Sequence, residues 1–472
     1  AITAKAWPVN DSAFDMNDAR YSMLYYLPSQ TFNAYGPAFT DPRSGEIIQT
    51  RLGWFSNISS LIASWYQVQA APNDPRARKF KLDDELMGRL VRTIAAHEVG
   101  HTLGLTHNFG SSSQTPVDSL RSKTFLEKYG HTASIMDYAR FNYAAQPEDN
   151  IPPELLMPRV NDYDKWAIEW GYKYLGEKDP FADARIMDKI TTKRLAENNR
   201  LFYGDGEDQD GVDMRNQTED LSDNVAVADS LGLRNMRIVM KNLLEWTKDD
   251  ESAEINGYDL YDVMMLHYMR YIMHNLGGMF GVNTTLRKDG SEEPVYTVEP
   301  KSKQLASLHF LCRELFTDSD WMDDPAVMNH IFMPLTESYI TDMKRKAICA
   351  VFDAGLIDRF MSQEERFGAD KVITAREYID ILHSYIWKNM ESGPLTVDPE
   401  LKNLQRSYVN SLLYVVVNKE QAYSSSPAIE VLSTELNKIL VMIKSTLPKA
   451  DQETKDHLLD LKERIYRLTG KS

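Results

Sequence analysis

Three histidines and a glutamate in one short segment have the types and spacing of a metal-dependent hydrolytic site. The segment Thr93–Phe109 reads TIAAHEVGHTLGLTHNF, in which His97 and His101 are four residues apart. On a helix this spacing places both imidazoles on the same face, about one turn from each other. Two imidazoles so placed are suited to bind one tetrahedral zinc ion, with bonds of ~2.0–2.1 Å.

A glycine and a third histidine complete the pattern. Gly104 lies where this helix must end and the chain must reverse, and glycine takes a positive φ there without steric cost. The turn then brings His107 round as the third ligand. Three neutral imidazoles leave the fourth zinc position open for water, which is typical of a catalytic site. Glu98 points off the ligand face, so we predict that it acts as general base toward a zinc-activated water.

The helix that must position these side chains is predicted over 83–104. Its apolar stripe, which continues the face of the two histidines, consists of Leu86, Leu90 and Ile94. The ligand face is therefore expected to point inward. Asp83 or Asp84 is suited to cap the N-terminus of the helix.

The rest of the chain has a β-rich start and a helical remainder. Within residues 1–80 the residue pattern predicts strands at Ile2–Trp7, Tyr21–Leu27 and Glu46–Trp54, and then a helix over Ile58–Ala70. A chain that opens in a strand without an initiator Met is expected to be a fragment or a processed product. From about residue 160 the pattern is helical, with a first helix capped at Asn161-Asp162. Further helices are predicted near 225–247, 258–275, 301–316, 324–355, 375–390, 398–422 and 427–467.

The charge balance argues against several classes of function. Lys and Arg number 53 against 69 Asp and Glu, a net charge of −16, which repels phosphate and argues against nucleic-acid binding. No apolar run approaches the roughly 18–20 residues that span a bilayer, so no transmembrane segment is predicted.

The two cysteines, Cys312 and Cys349, are too few for a disulfide scaffold. They could pair with each other, but we favour their interpretation as small core residues.

The segment His97–His107 resembles the extended zinc motif of the metzincin metallopeptidases. Metzincins also have a Met-turn downstream, and Ser134–Tyr138 (SIMDY) resembles one. This resemblance implies that Met136 forms an apolar floor beneath the zinc histidines. It also implies that Tyr138 is a reversible fifth ligand and a hydrogen-bond donor to the transition state.

A narrower resemblance extends over most of residues 1–280. It is carried by DPRSGEI (Asp41–Ile47), SIMDYARFNYAAQPED (Ser134–Asp149) and NDYDKWAIEWGY (Asn161–Tyr172), which are similar to a bacterial family of large zinc-dependent metalloproteases common in Bacteroidetes. Members typically have domains ahead of the catalytic one, which agrees with a truncated or processed start. The resemblance implies an extracytoplasmic location, namely periplasmic, cell-surface or secreted. Asn108 follows the third histidine, where metzincin subfamilies differ, so no better-known subfamily's substrate preference is implied.

Together these observations predict an α+β protein. Residues 1–175 are expected to form a metzincin-like catalytic domain, with a twisted, mostly parallel sheet, an active-site helix and a Met-turn. The strand Glu46–Trp54 is expected to be the edge strand that borders the cleft and pairs with substrate main chain. Residues 176–295 are expected to be a helical extension and residues 296–472 an all-helical domain. The acidic loop 205–213 offers Asp205, Asp208, Asp210 and Asp213 to calcium but misses the EF-hand pattern, which favours a solvated loop.

We therefore predict a zinc-dependent metalloendopeptidase that acts on a peptide or protein substrate, with His97, His101 and His107 as ligands. A zinc-dependent amidase that acts on cell-wall peptides is an alternative, because its chemistry is the same. A catalytically silent zinc-binding module is another, although such a module has no need of Glu98. A gluzincin-type site would use a downstream carboxylate, Glu127 or Glu169, as third ligand, and the presence of Gly104 and His107 argues against it. The sequence does not predict the oligomeric state.

Overall fold

A computed structural model describes residues 3–205, 213–249, 257–285, 292–317, 320–331, 339–388, 390, 396–422 and 428–469. The chain forms two compact units. The first consists of Ala1–Asp208 with Leu221–Asp223, and the second of Gln209–Asp220 with Asn224–Ser472. The division at residues 175 and 295 that we expect from the sequence stays a prediction.

The first unit contains a small mixed sheet. Its strands are β1 (Met23–Leu27), β2 (Ala34–Tyr35), β3 (Ala38–Thr40) and β4 (Ile47–Phe55). β1 pairs with β4 in parallel, whereas β2 and β3 both pair with β4 antiparallel. The α+β class agrees with this architecture, but within the described residues the sheet is mixed rather than mostly parallel.

The turn between β3 and β4 explains this geometry. The backbone N of Gly45 donates to the carbonyl O of Asp41 at 2.8 Å, and the N of Asp41 donates to the O of Glu46 at 2.9 Å. A connection this short joins antiparallel strands. Because β2 and β3 cover one side of β4 and β1 the other, the prediction that Glu46–Trp54 is an edge strand is wrong.

The start of the chain also differs from expectation. A strand is predicted at Ile2–Trp7. Of these residues the structure describes 3–7, and they do not form a strand. The N of Val9 donates to the O of Trp7 at 2.9 Å, which turns the chain after Pro8. The ring of Trp7 then packs edge-on against Phe14, with centroids 4.8 Å apart.

The helices of the first unit follow local signals in the sequence. They are α1 (Ile58–Ala70), α2 (Asp84–Thr102), α3 (Lys123–Tyr129), α4 (Asp162–Tyr172) and α5 (Pro180–Glu197). α2 begins where the Asp83 side chain accepts a hydrogen bond from the N of Leu86 at 2.8 Å, so the predicted N-cap is confirmed. α5 was not predicted, although Asp179 followed by Pro180 is a helix-start signal.

The second unit is mainly helical, as predicted. Its helices are α6 (Val225–Trp246), α7 (Gly257–Gly278), α8 (Lys301–Phe316), α9 (Pro325–Met328), α10 (Tyr339–Val351), α11 (Ala354–Phe367), α12 (Ala375–Ile386), α13 (Pro399–Ala422), α14 (Ala428–Thr446) and α15 (Gln452–Thr469). A two-stranded hairpin, β5 (Val282–Thr284) with β6 (Tyr296–Val298), interrupts them. The prediction that residues 296–472 are all-helical is therefore wrong at β6. No helix in the described residues combines the length and the apolar character needed to cross a membrane.

Candidate metal centre

Three imidazoles converge in the first unit. α2 carries His97 and His101 on one face, and the loop beyond its C-terminus returns His107 to them. The Nε2 atom of His101 lies 3.1 Å from Nε2 of His97 and 3.2 Å from Nε2 of His107. Two nitrogens bound at ~2.0–2.1 Å to one tetrahedral ion are about 3.3 Å apart. The spacing of the imidazoles therefore fits a metal ion such as zinc.

Hydrogen bonds determine which nitrogen of each helical imidazole faces this centre. Nδ1 of His97 lies 2.8 Å from the carbonyl O of Ile135, and Nδ1 of His101 lies 2.9 Å from the carbonyl O of Leu105. A carbonyl oxygen only accepts, so each Nδ1 carries the proton and donates it. Each Nε2 then presents a bare lone pair to the centre, which is the arrangement that metal-binding histidines adopt.

The protonation state of His97 also suits a ligand. His97 is buried, and burial lowers the pKa of its imidazole to about 3, with the charges of His101 and His107 acting in the same direction. The hydrogen bond with Ile135 opposes this shift but does not cancel it. His97 is therefore neutral at physiological pH, and neutral imidazole is the form that binds metal.

Gly104 turns the chain between the second and third imidazoles. Its φ is 81°, in the left-handed region that glycine adopts without steric cost, as predicted. The N of Leu105 donates to the O of Gly100 at 3.1 Å, which closes the end of α2. The chain reverses within this turn, so His107 comes back to the helical pair.

Asn108, the residue that follows His107, is held by three hydrogen bonds. Its side chain is fully buried, donates from Nδ2 to the O of Phe202 and accepts at Oδ1 from the N of Gly204, each at 2.9 Å. Its backbone N donates to the O of Met136 at 3.1 Å. The third imidazole is thereby tied to two distant segments of the first unit.

The side chain of Met136 supports the ligand helix. Met136 is fully buried, and a methyl group added at Gly100 would overlap its Sδ atom. Gly100 lies between His97 and His101 on α2. An apolar side chain therefore packs against the helix at the point where the two imidazoles leave it.

Asp164 of α4 holds the segment that carries Met136. Its Oδ1 accepts from Oγ of Ser134 at 2.6 Å, and its Oδ2 accepts from the N of Ile135 at 2.9 Å. Burial raises the pKa of the Asp164 carboxyl, although these hydrogen bonds oppose the shift. Asp164 is not among the site residues that the sequence predicts. Its signal is the capping box that Asp164 forms with Asn161 at the start of α4.

Glu98 lies beside the imidazoles with its carboxylate buried. The side chain is 6% exposed, and no described residue makes a hydrogen bond with its Oε2. Burial raises the pKa of Glu98 to about 7, and the charge of Arg140 opposes the shift. A carboxyl group with a pKa near neutrality and an unused oxygen is suited to proton transfer.

Tyr138 lies against the same cluster. Its ring centroid is 5.5 Å from that of His97 and 4.6 Å from that of His107. The structure therefore brings the side chains of Glu98 and Tyr138 to the three imidazoles.

A family model described as Met-zincin matches residues 79–393. This match covers more than half of the chain. The chain belongs to the Met-zincin family. Membership implies a zinc metallopeptidase and confirms the resemblance to the metzincin clan. Comparisons with curated proteins and with solved structures found no match.

A pocket adjoins the imidazoles of this Met-zincin. It has a volume of about 180 Å³ and opens beside His97 and Glu98. Most of its wall is aliphatic or aromatic, including Ile58, Leu61, Ile62, Ile94, Ile135 and Phe141. Trp65, Tyr138 and Arg140 also line it. The pocket can therefore hold an apolar group next to the site.

Further histidines, and the two glutamates considered as a third ligand, lie outside the metal cluster. Among the described residues, a group of at least three His, Cys, Asp or Glu side chains with metal-binding spacing is found at the three imidazoles. His267 and His274 of α7 are buried in the second unit. Glu127 and Glu169, the gluzincin alternatives, face Lys123 at 3.9 Å and Lys173 at 3.2 Å.

The remaining candidates belong to the predicted acidic loop and the cysteines. Residues 206–212, with Asp208 and Asp210, lie outside the described residues, and Asp213 forms an ion pair with Arg215 at 2.7 Å. Both cysteines are free thiols: Cys312 is buried, as we favoured, whereas Cys349 is exposed. The interpretation of both as core residues is therefore wrong for Cys349, because its position on α10 faces outward.

Proposed function

We propose that the protein is a zinc-dependent endopeptidase that hydrolyses peptide bonds in peptide or protein substrates. The observation that carries this proposal is the convergence of three imidazoles beside the buried carboxylate of Glu98, at the mouth of an apolar pocket. Family membership supports the same class of enzyme. The extracytoplasmic location implied by the resemblance stays a prediction.

His97, His101 and His107 would hold the zinc ion through their Nε2 atoms. When bound, zinc supplies a Lewis acid that polarises the scissile carbonyl and lowers the pKa of a water molecule. The Ile135 and Leu105 carbonyls keep the two helical imidazoles in the tautomer that this binding needs.

Glu98 accepts the proton of the attacking water and passes it to the leaving amine. Its Oε2 has no hydrogen-bond partner among the described residues, so one oxygen is available for the proton. Burial holds its pKa at about 7. A base with this pKa both takes a proton from water and returns it to an amine at neutral pH.

Tyr138 donates a hydrogen bond from its hydroxyl to the oxyanion as the tetrahedral intermediate forms. A donor that meets the oxyanion only in the transition state lowers the barrier without tightening substrate binding. The position of its ring beside His97 and His107 supports this role.

The apolar pocket supports a peptide substrate. Its walls of Ile, Leu and Phe side chains would accept the apolar side chain of one substrate residue next to the scissile bond. Burying such a side chain stabilises the complex by about 1.5–3 kcal/mol. We therefore expect cleavage beside a bulky apolar residue.

The test is the variant Glu98→Gln, with Glu85→Gln as its control. Glu85 lies on the same helix, is exposed and pairs with Arg89 at 2.9 Å, so its amide should leave zinc content and hydrolysis unchanged. Glu98→Gln should keep zinc and the fold, because the carboxylate is not a ligand. Cleavage of a peptide library, followed by mass spectrometry, should fall by about 10²–10⁴-fold. Wild-type cleavage by Glu98→Gln would refute the role of this carboxylate as base.

A further inference from the structure

Arg140 has a strained backbone at the edge of the apolar pocket. Its φ is 51°, in the left-handed region where a residue with a Cβ is sterically disfavoured. Such strain persists where the surrounding structure holds it in place, and it concentrates at functional sites. Arg140 follows Tyr138 by two residues and lines the pocket with it.

The guanidinium group of Arg140 lies over two aromatic rings. Its Cζ is 3.9 Å from the ring centroid of Tyr138 and 4.4 Å from that of Trp65. Trp65 belongs to α1, so the cation joins a helix to the loop that carries Tyr138. A cation at this distance is attracted by the electron-rich face of each ring.

The ring of Tyr138 is therefore held from two directions. Arg140 contacts its face, and His107 and Phe109 lie near it with centroids 4.6 and 5.0 Å away. A ring confined in this way cannot rotate freely about its side-chain bonds. Its hydroxyl is held in one direction relative to the imidazoles.

From this geometry we infer that Arg140 is a positioning residue for the hydroxyl of Tyr138. Its guanidinium fixes the ring so that the hydroxyl already points to the oxyanion when it forms. This inference rests on the proposed role of Tyr138 in peptide hydrolysis. Arg140 itself does not touch the reacting atoms. Because its charge also acts on Glu98, the positioning effect is the part of its effect on turnover that requires the hydroxyl of Tyr138.

The experiment is a double-mutant cycle in the zinc-loaded full chain. Arg140→Met and Tyr138→Phe are made singly and together, and kcat and KM are measured on one library-derived peptide. Arg194→Met is the matched control, because Arg194 also lies over a tryptophan ring in the first unit, that of Trp166 at 5.9 Å, and does not line the pocket. Zinc content and melting temperature are recorded for every variant to check folding.

We expect Arg140→Met to lower kcat about 5- to 10-fold with little change in KM, since it removes the cation–π contact that holds the Tyr138 hydroxyl in place for the transition state. In the Tyr138→Phe background the same substitution should change kcat less than about 2-fold, because no hydroxyl is left to position. Arg140→Lys, which keeps the charge, should recover part of the lost kcat. Arg194→Met should match the wild type.

Two results would overturn the inference. Equal losses from Arg140→Met with and without the Tyr138 hydroxyl would show that Arg140 acts independently. A loss confined to KM would place Arg140 in substrate binding instead. Failure of the proposed role of Tyr138 is a separate outcome, in which Tyr138→Phe alone keeps the wild-type kcat, whatever Arg140→Met does. Failure of the proposed function itself would appear as absence of peptide cleavage by the wild type. If Arg140→Met does not fold, Arg140→Lys replaces it in the cycle. Its effect on kcat is then compared with and without the Tyr138 hydroxyl.

Discussion

Met136 packs its sulfur against Gly100, the residue of the ligand helix that lies between His97 and His101. A methyl group at Gly100 would overlap Sδ of Met136. Met136 reaches this place because Asn108 binds its carbonyl O and Asp164 binds the residue before it. The helix and the loop thus meet with no room for a larger side chain.

The first prediction concerns this contact. Gly100→Ala should lower the free energy of unfolding by about 0.5–2 kcal/mol, because overpacking by the added methyl group costs more than the helix propensity of Ala returns. It should also weaken zinc binding. Urea unfolding and zinc titration measure the two effects. Gly88→Ala is the control: it lies on the same helix, nothing is within 4 Å of its added methyl group, and it should gain about 0.5–1 kcal/mol from helix propensity. Equal stability of the two variants would contradict the tight packing of Met136.

The second prediction concerns the third ligand. His107→Ala should lose most of its zinc, because two imidazoles bind the ion far more weakly than three. Elemental analysis after dialysis measures the zinc content. His330→Ala changes an exposed histidine and should keep one zinc ion per chain. Full zinc retention by His107→Ala would favour a carboxylate as the third ligand.

The third prediction concerns the hydroxyl of Tyr138. Tyr138→Phe should lower kcat by about 10²–10³-fold, the usual effect of losing one oxyanion donor. KM should change little, because the hydrogen bond forms only in the transition state. Steady-state kinetics on one cleaved peptide separate kcat from KM. Tyr174→Phe, which removes a hydroxyl from a residue that is 90% exposed, should behave as the wild type. A Tyr138→Phe variant that melts earlier but keeps its kcat would make the role structural.

The fourth prediction concerns pH and a buried pair in the second unit. Nδ1 of His274 lies 3.3 Å from Oδ2 of Asp229. Burial alone would lower the pKa of His274, but the negative charge of Asp229, aided by Asp220, raises it to about 9. The folded-state pKa thus lies above the ~6.5 of an unfolded histidine. Its contribution to stability is fully present below pH ~6.5 and is lost as the pH rises through 9.

His274→Gln tests this linkage. The extra stability of the wild type over this variant should be largest at pH 6 and should shrink by about 1–3 kcal/mol by pH 10. Urea unfolding at both pH values measures it. A difference for His274→Gln that does not depend on pH would show that the imidazole is not charged in the folded protein.

The sequence alone determined the elements whose geometry depends on near neighbours. His97, His101, Gly104 and His107 lie within eleven residues, so helix periodicity and one glycine turn suffice to bring the imidazoles together. The bounds of α1 and α2 followed from caps and apolar spacing for the same reason. The support by Met136 was inferred from resemblance to a family, because no local rule connects it with Gly100.

Tertiary structure decided the contacts between residues far apart in the chain. Asp164 accepts a hydrogen bond from Ser134, which is 30 residues away in the sequence. Arg140 contacts the ring of Trp65, although the whole ligand helix lies between them in the sequence. The prediction that β4 is an edge strand was wrong, because the position of a strand in a sheet depends on which other segments fold back onto that strand. Each such contact is worth about 1 kcal/mol, too little to be recognised in a local pattern. Only the packing of the whole unit decides which of the many possible partners meet.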